Sequence, residues 1–267
     1  MDSIILIMAG GMGKRMNSNI PKVLHEVNNK PMIINIIETS LKINPYKICI
    51  IVGKFFNLIL DCIKKYLNIE TINNKIKFII QETPLGTGNA IFCCKNYLNS
   101  LHHNIDKVII LSGDVPLIQS NTIQELLNGL INNNNNDNND NDNNDNDNKL
   151  NDMNILIAKL NNPLGYGRII INENKFCKII EDKDCNKTEK KINIINTGIY
   201  AFNKMSLIDN IDKIDNNNNQ KEYYLTQIVE IINNIPNSHI NYLFVKNNYE
   251  ILGVNNIEQL NNINNIK

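Results

Sequence analysis

SIILIMAGGMGKR, residues 3–15, runs an apolar, isoleucine-rich stretch straight into a cluster of glycines followed by two cations. An unbroken apolar run of this length, too short for a helix and ended by turn residues, reads as a fully buried strand. The glycines then place a tight turn at its carboxyl end. Three more runs of the same kind, at 47–52, 75–80 and 107–111, alternate with helical spacing near 32–43, 57–67 and 87–101. The first half therefore reads β-α-β-α-β-α-β. Continuous apolar strands alternating with helices require cover on both faces, so the expected class is α/β with a mostly parallel sheet flanked by helices. Ligands of such sheets collect at the carboxyl ends of the strands, where Gly10 to Arg15 and Ser112 to Asp114 fall.

Residues 132–148 consist of Asn and Asp alone. They offer no apolar surface to offset the entropy of ordering, so a disordered surface insertion is expected there, between a helix at 122–131 and a strand at 155–160. Shorter strands follow at 167–171, 175–180 and 192–202, then a helix at 224–233 and a strand at 242–245. The tail, 255–267, has weak helical spacing and no evident partner surface.

At 267 residues with 42% hydrophobic content, the chain can fill a core unaided. Its 27 basic and 27 acidic residues cancel, so no global field favours nucleic acid or an anionic membrane, and any phosphate binding must be local. The N-terminal apolar run follows Asp2 and meets glycine by residue 10, too short for a signal-peptide core or a span, and a cytoplasmic location is expected. Six cysteines form no CxxC pair and four histidines show no zinc spacing beside them, which points to reduced, buried thiols.

Three glycine-loop chemistries compete at residues 8–22. A P-loop needs GxxxxGK followed by Ser or Thr, but Arg15 follows Lys14 and Met8 stands where the first glycine should be. The dinucleotide fingerprint fits Gly11 and Gly13 but finds Met16 at its third glycine. What remains is a strand, a glycine nest, Arg15, and Lys22 after Pro21. Glycines let backbone N–H groups turn toward an anion, Arg15 offers a planar fork to phosphate oxygens, and Lys22 adds a point charge beyond a proline-fixed bend.

AGGMGKRM followed by PKVLH, then QETPLGTGNA, LSGDVPLI, GYGRII, INTGIY, EYYLT and GVNN, in that order from Ile4 to about Asn256, resembles the uridylyltransferase domain of the bacterial N-acetylglucosamine-1-phosphate uridylyltransferases. The resemblance implies a Rossmann-like nucleotide-diphospho-sugar transferase fold in one domain, 1–254, with 255–267 as a helical tail. It implies transfer of a uridylyl group from UTP to N-acetylglucosamine 1-phosphate with release of pyrophosphate, and Mg²⁺ as cofactor. Such a displacement calls for positioning and charge neutralisation, and no nucleophilic triad stands out.

By the same resemblance, Met8, Ala9, Gly10 and Gly11 cradle the nucleotide, Arg15 holds the departing phosphates and Lys22 contacts the phosphate joining the two product halves. Gln81, with Gly86 and Thr87, faces uracil; an amide carries both a donor and an acceptor for a pyrimidine edge. Thr87 could also cap the following helix. Ser112 and Gly113 precede Asp114, a hard oxygen ligand at a strand end, and Asn255 is implied as the second metal ligand. Gly167, Glu181 and Asn196 match the positions that hold the sugar. Gly10 and Lys14 stand where the family more often has Ala and Thr, and Gln227 where it has Asp. The bifunctional members continue into a β-helix that acetylates glucosamine 1-phosphate and assembles trimers, whereas this chain ends at Lys267, so that activity is not expected and the family's trimer is not assumed. Two alternatives stand beside uridylyl transfer: a transferase for another sugar or base, such as glucose 1-phosphate with UTP or dTTP, and a non-catalytic sugar-nucleotide sensor.

Overall fold

A central strand, β1 (Asp2–Met8), pairs in parallel with two others and fixes the geometry of everything around it. The computed structural model describes residues 2–11, 13–16, 18–131, 150–172 and 175–266; the Asn/Asp tract at 132–148 lies outside them. Along the chain β1 is followed by a small hairpin, β2 (Glu26–Val27) and β3 (Lys30–Pro31), then α1 (Met32–Leu41), β4 (Lys47–Val52), α2 (Phe56–Tyr66), α3 (Ile69–Lys75) and β5 (Ile76–Ile80). Next come α4 (Thr87–Phe92), α5 (Lys95–Ser100), β6 (Ile105–Ser112), α6 (Ser120–Asn128), β7 (Met153–Lys159), β8 (Arg168–Asn172) and β9 (Lys175–Ile180). The remainder is β10 (Ile194–Asn203), α7 (Lys204–Asn210), α8 (Gln227–Asn233), β11 (Ile240–Phe244) and α9 (Ile257–Asn264).

The main sheet runs β11-β7-β10-β6-β1-β4-β5, with β8 and β9 branching from β10 as an antiparallel ribbon. Only β10 runs against its neighbours in the main path; the other pairings there are parallel, as the unbroken apolar strands predict. Alternate side chains of each strand enter opposite layers. Ile5, Ile7, Ile48, Ile50, Ile109 and Leu111 pack beneath α1, α2 and α6, whereas Ile4, Leu6, Cys49, Ile51, Val108 and Ile110 face α4, α5, α7 and α8. Each fully buried isoleucine contributes about 1.5–3 kcal/mol relative to exposure. The run Ile4 to Ile7, with no exposed surface, therefore anchors the strand whose end carries the glycine loop.

Besides the β2–β3 hairpin, which the sequence reading did not include, the chain departs from that reading in three places. The single helix expected over 87–101 breaks into α4 and α5 at Cys93 and Cys94, where the Cys94 N–H closes a tight turn onto the Ile91 carbonyl at 2.9 Å. Two seven-residue helices, α3 and α7, were not anticipated; each is opened by an Asn side chain that accepts from the first turn, Asn68 and Asn203. Third, the tail has a partner after all. Ile263 of α9 joins Met16, Val27, Met32 and Val254 in a small separate core, and the Asn264 amide donates to the Glu26 carbonyl at 3.2 Å while accepting from Asn28 N–H at 2.9 Å. The five described cysteines are free, three of them buried. No described helix is long and apolar enough to cross a membrane.

Candidate active site

Register brings two loops together. Met8 lies opposite Ser112 across β1 and β6 and opposite Ile51 across β1 and β4, so the segments leaving these strands emerge side by side. The Gly113 N–H donates to the Met8 carbonyl at 2.9 Å, and Gln81 N–H donates to Val52 at 2.8 Å. Between them opens a cleft of about 260 Å³, lined by Met8, Gly10, Gly11, Lys22, Gln81, Gly86, Thr87, Ser112 and Asp114, together with Val23, Pro84, Ala90 and Glu222. Ala9 is buried in the wall behind, its N–H donating to Ile51 at 2.8 Å.

The glycine loop closes by a short 3-10 turn at Lys14–Met16. Gly13 has φ +61°, and a Cβ there would lie 2.8 Å from the Lys22 Cβ, so only glycine lets the loop descend onto Lys22. Met16 is buried and pins the turn to the core shared with α9. Arg15 is thereby turned outward. It lines a second cavity of about 390 Å³ with Gly165, Glu181, Asp182, Lys183, Gln220 and Glu222, and Glu222 borders both spaces.

At the cleft floor the Lys22 ammonium is ion-paired with Asp114 and donates to Asn255 Oδ1 at 3.2 Å. Ser112 Oγ donates to the other carboxylate oxygen at 2.6 Å, and the Val254 N–H holds the Asp114 carbonyl at 2.9 Å, so the Gly253–Asn255 turn is fastened to the end of β6. Burial opposes the Asp114 charge, but the Lys22 ammonium and the hydrogen bonds from Lys22 and Ser112 outweigh it and hold the carboxyl below the usual range. A carboxylate and an amide oxygen thus converge on one cation. That donor set fits a hard divalent ion which keeps water and takes phosphate oxygens for its other positions. Among the described residues there is no cluster of three or more His, Cys, Asp or Glu able to hold a metal.

The opposite wall is the turn at 85–88, braced by the segment 222–226. Tyr223 N–H donates to the Leu85 carbonyl at 2.8 Å and its carbonyl accepts from Gly88 N–H at 2.7 Å. Thr87 does not cap α4: Gly86 occupies the cap position, and Thr87 Oγ1 instead accepts from Leu225 N–H at 3.0 Å. Gln81, 5% exposed, donates from Nε2 to Gly86 O at 3.2 Å and to Asn89 Oδ1 at 2.8 Å.

The three residues expected at the sugar lie on the β8-β9-β10 side. Gly167 O accepts from Asn196 N–H at 2.9 Å, and the buried Asn196 amide is engaged with the Tyr200 hydroxyl at 2.7 Å and Gly198 N–H at 3.2 Å. Neither Gly167 nor Asn196 lines the two cavities above. Glu181 does face the second one, and accepts from Thr226 Oγ1 at 2.9 Å. Burial, reinforced by Asp184, Asp182 and Glu222, pushes the Glu181 pKa above the usual carboxylate range despite that hydrogen bond. Between Gly167 and this ribbon, the buried Arg168 bonds Asp182 at 2.9 Å and the Tyr166 carbonyl. The sequence reading missed Glu222, Thr226, Asn89 and Tyr223. Their signal was present in the quoted EYYLT and TGNA, but a lone acid, hydroxyl or amide carries no pattern until a partner is visible.

The Nucleotidyl transferase family profile matches residues 4–249. A protein of Acanthamoeba polyphaga mimivirus named "Probable UDP-N-acetylglucosamine pyrophosphorylase" is 43% identical over 98% of this chain and 95% of its own length. The "Bifunctional protein GlmU" of Thermosipho melanesiensis is 39% identical over 97% of this chain, which spans only 49% of that longer protein. A Bacillus anthracis crystal structure titled "Putative Glucose-1-Phosphate Thymidylyltransferase", 17% identical, superposes with a TM-score of 0.68 over 99% of this chain and 96% of its own, and shares the fold. The parallel sheet, the glycine loop at its centre and these matches together place the chain in the nucleotidyl transferase family.

Proposed function

We propose that the protein transfers a uridylyl group from UTP to N-acetylglucosamine 1-phosphate, giving UDP-N-acetylglucosamine and pyrophosphate in the cytoplasm, with Mg²⁺ as cofactor. One observation carries this reading: the convergence of Lys22, Asp114 and Asn255 beside the glycine loop, in a chain 43% identical to a relative named for that product. In the reaction a phosphate oxygen of the sugar phosphate forms a bond to the α-phosphorus while the bond to the β-phosphate oxygen breaks. Charge shifts to the departing pyrophosphate, and the protein's task is to align the groups and stabilise that charge.

The backbone of Met8 to Gly11 receives the triphosphate in a concavity free of side-chain bulk at Gly10 and Gly11. Lys22 lies at the cleft floor, within reach of the phosphate under attack. Asp114 and Asn255 would hold Mg²⁺, which when bound would neutralise charge and orient phosphate oxygens. From the adjoining cavity Arg15 serves the departing pyrophosphate and Glu181 the sugar, while Gly167 and Asn196, which line neither cavity, support the sugar side through their mutual backbone bond at 2.9 Å. Incubating the protein and Mg²⁺ with a panel of nucleoside triphosphates and sugar 1-phosphates, and measuring pyrophosphate, tests the assignment. UTP with N-acetylglucosamine 1-phosphate is expected to lead; glucose 1-phosphate or dTTP leading instead moves the protein to the other branch, and no release from any pair refutes catalysis.

A further inference from the structure

We propose that Asn89 is a specificity-determining positioning residue, which locks the Gln81 amide with its oxygen toward the cleft so that the site accepts a base whose ring nitrogen carries a proton. The inference rests on the nucleotide reading of the cleft given above.

The amide of Gln81 has two donor hydrogens and one acceptor oxygen, and a half-turn of its last torsion exchanges them. Gly86 O and Asn89 Oδ1 both lie within hydrogen-bond reach of Nε2, at 3.2 and 2.8 Å. The Gly86 carbonyl can only accept, so Nε2 must face it; Asn89 Oδ1 then takes the second hydrogen at the shorter distance. Both donors are consumed inside the protein. Oε1 accepts no hydrogen bond from a described residue, and it stands over Gly10, 3.0 Å from the point a Cβ there would occupy, on the cleft lining. The cleft is thus offered an acceptor alone.

The bases differ at this point. Uracil carries N3–H, a donor; cytosine has a bare N3 lone pair flanked by an amino group. Uracil can donate to Oε1, whereas cytosine would set two lone pairs against each other in a partly dehydrated site, and a polar atom left unpaired there is strongly rejected. Thymine, which also has N3–H, is not distinguished by this contact. Asn89 touches no base in this account: it acts through Gln81, from the first turn of α4, where its backbone is fixed by the helix.

The test compares kcat/KM for UTP and CTP, each with N-acetylglucosamine 1-phosphate, in the wild type, Asn89→Asp and Asn89→Leu. Asn89→Asp keeps an acceptor opposite Nε2 and should keep the wild-type preference for UTP. Asn89→Leu removes it, leaving only the longer bond to Gly86, and the UTP to CTP ratio should fall about tenfold. Because the ratio is internal to each variant, a loss of folded enzyme cancels. An unchanged ratio in Asn89→Leu overturns the role of Asn89 alone, and a wild type that does not prefer UTP to CTP overturns the reading of Oε1. Absence of pyrophosphate release from every triphosphate in the wild type removes the nucleotide reading, and this inference with it.

Discussion

Gly86→Ala should be among the most damaging single-methyl additions at the cleft. The residue has φ +122° and ψ 176°, a region that only glycine occupies without strain, and forcing alanine into it costs about 1–3 kcal/mol. The added Cβ would also lie 2.5 Å from the Tyr223 carbonyl oxygen and 2.8 Å from its nitrogen. Both atoms are already committed, the nitrogen to Leu85 O at 2.8 Å and the oxygen to Gly88 N–H at 2.7 Å, so relief means breaking a backbone bond, at about 1 kcal/mol. Together these give roughly 2–4 kcal/mol, which for a chain of 267 residues lowers the melting temperature by about 4–8 °C. The assay is thermal unfolding with and without UTP, beside urea denaturation to confirm that the m-value is unchanged. Gly11→Ala is the control: nothing lies within 4 Å of its Cβ position, so stability should hold while the methyl enters the cleft and raises the KM for UTP. A Gly86→Ala protein that melts within a degree of the wild type would falsify the account of this turn as sterically locked.

Glu181→Gln should stabilise the protein increasingly as pH rises. A carboxyl whose folded value is raised gives its full stability contribution below the unfolded value, about 4.3, and loses it as pH climbs through the folded one. The amide mimics the protonated form, so the difference in melting temperature between variant and wild type should grow from pH 4 to pH 7, while the KM for the sugar phosphate rises; a difference independent of pH contradicts the raised value. Replacing residues 132–148 with a short turn should leave melting temperature and turnover nearly unchanged. Ile131 and Leu150 form an antiparallel bridge and Asn151 N–H bonds Leu130 O at 2.7 Å, so the two ends already meet. A fall of several degrees would show that the tract supports the fold.

The strands were legible because a parallel strand buried on both faces must be apolar at every position, and Ile4 to Ile7, Ile48 to Val52 and Val108 to Leu111 satisfy that requirement by local composition alone. Helices α3 and α7 were not: the equally short α8 shows its buried face as Ile228, Val229 and Ile232, whereas α3 buries Ile72 alone and α7 buries Lys204 and Asn210 beside Leu207 and Ile208, so neither presents an apolar stripe. The α9 interface was hidden for another reason: its partners, Met16, Val27 and Met32, belong to the first eighth of the chain and are scattered apolar residues until the hairpin and the 3-10 turn group them. In the site, the glycines and Gln81 announce themselves by position at strand ends. The meeting of Lys22 with Asp114, 92 residues away, and with Asn255, 233 residues away, depends on sheet order and on the Val254 bond to Asp114, neither of which local sequence encodes. The outward turn of Arg15 depends likewise on Met16 finding its core, a contact with no signature in the glycine loop itself.

The most direct measurement of the central claim is the amount of UDP-N-acetylglucosamine and of pyrophosphate formed from UTP and N-acetylglucosamine 1-phosphate, in the wild type and in Asp114→Ala. The account predicts equal amounts of the two products in the wild type with Mg²⁺, and a loss of both by at least about a hundredfold in the variant, whose cleft floor has lost the carboxylate facing Lys22. Full turnover in Asp114→Ala would contradict it, as would pyrophosphate released without the sugar nucleotide.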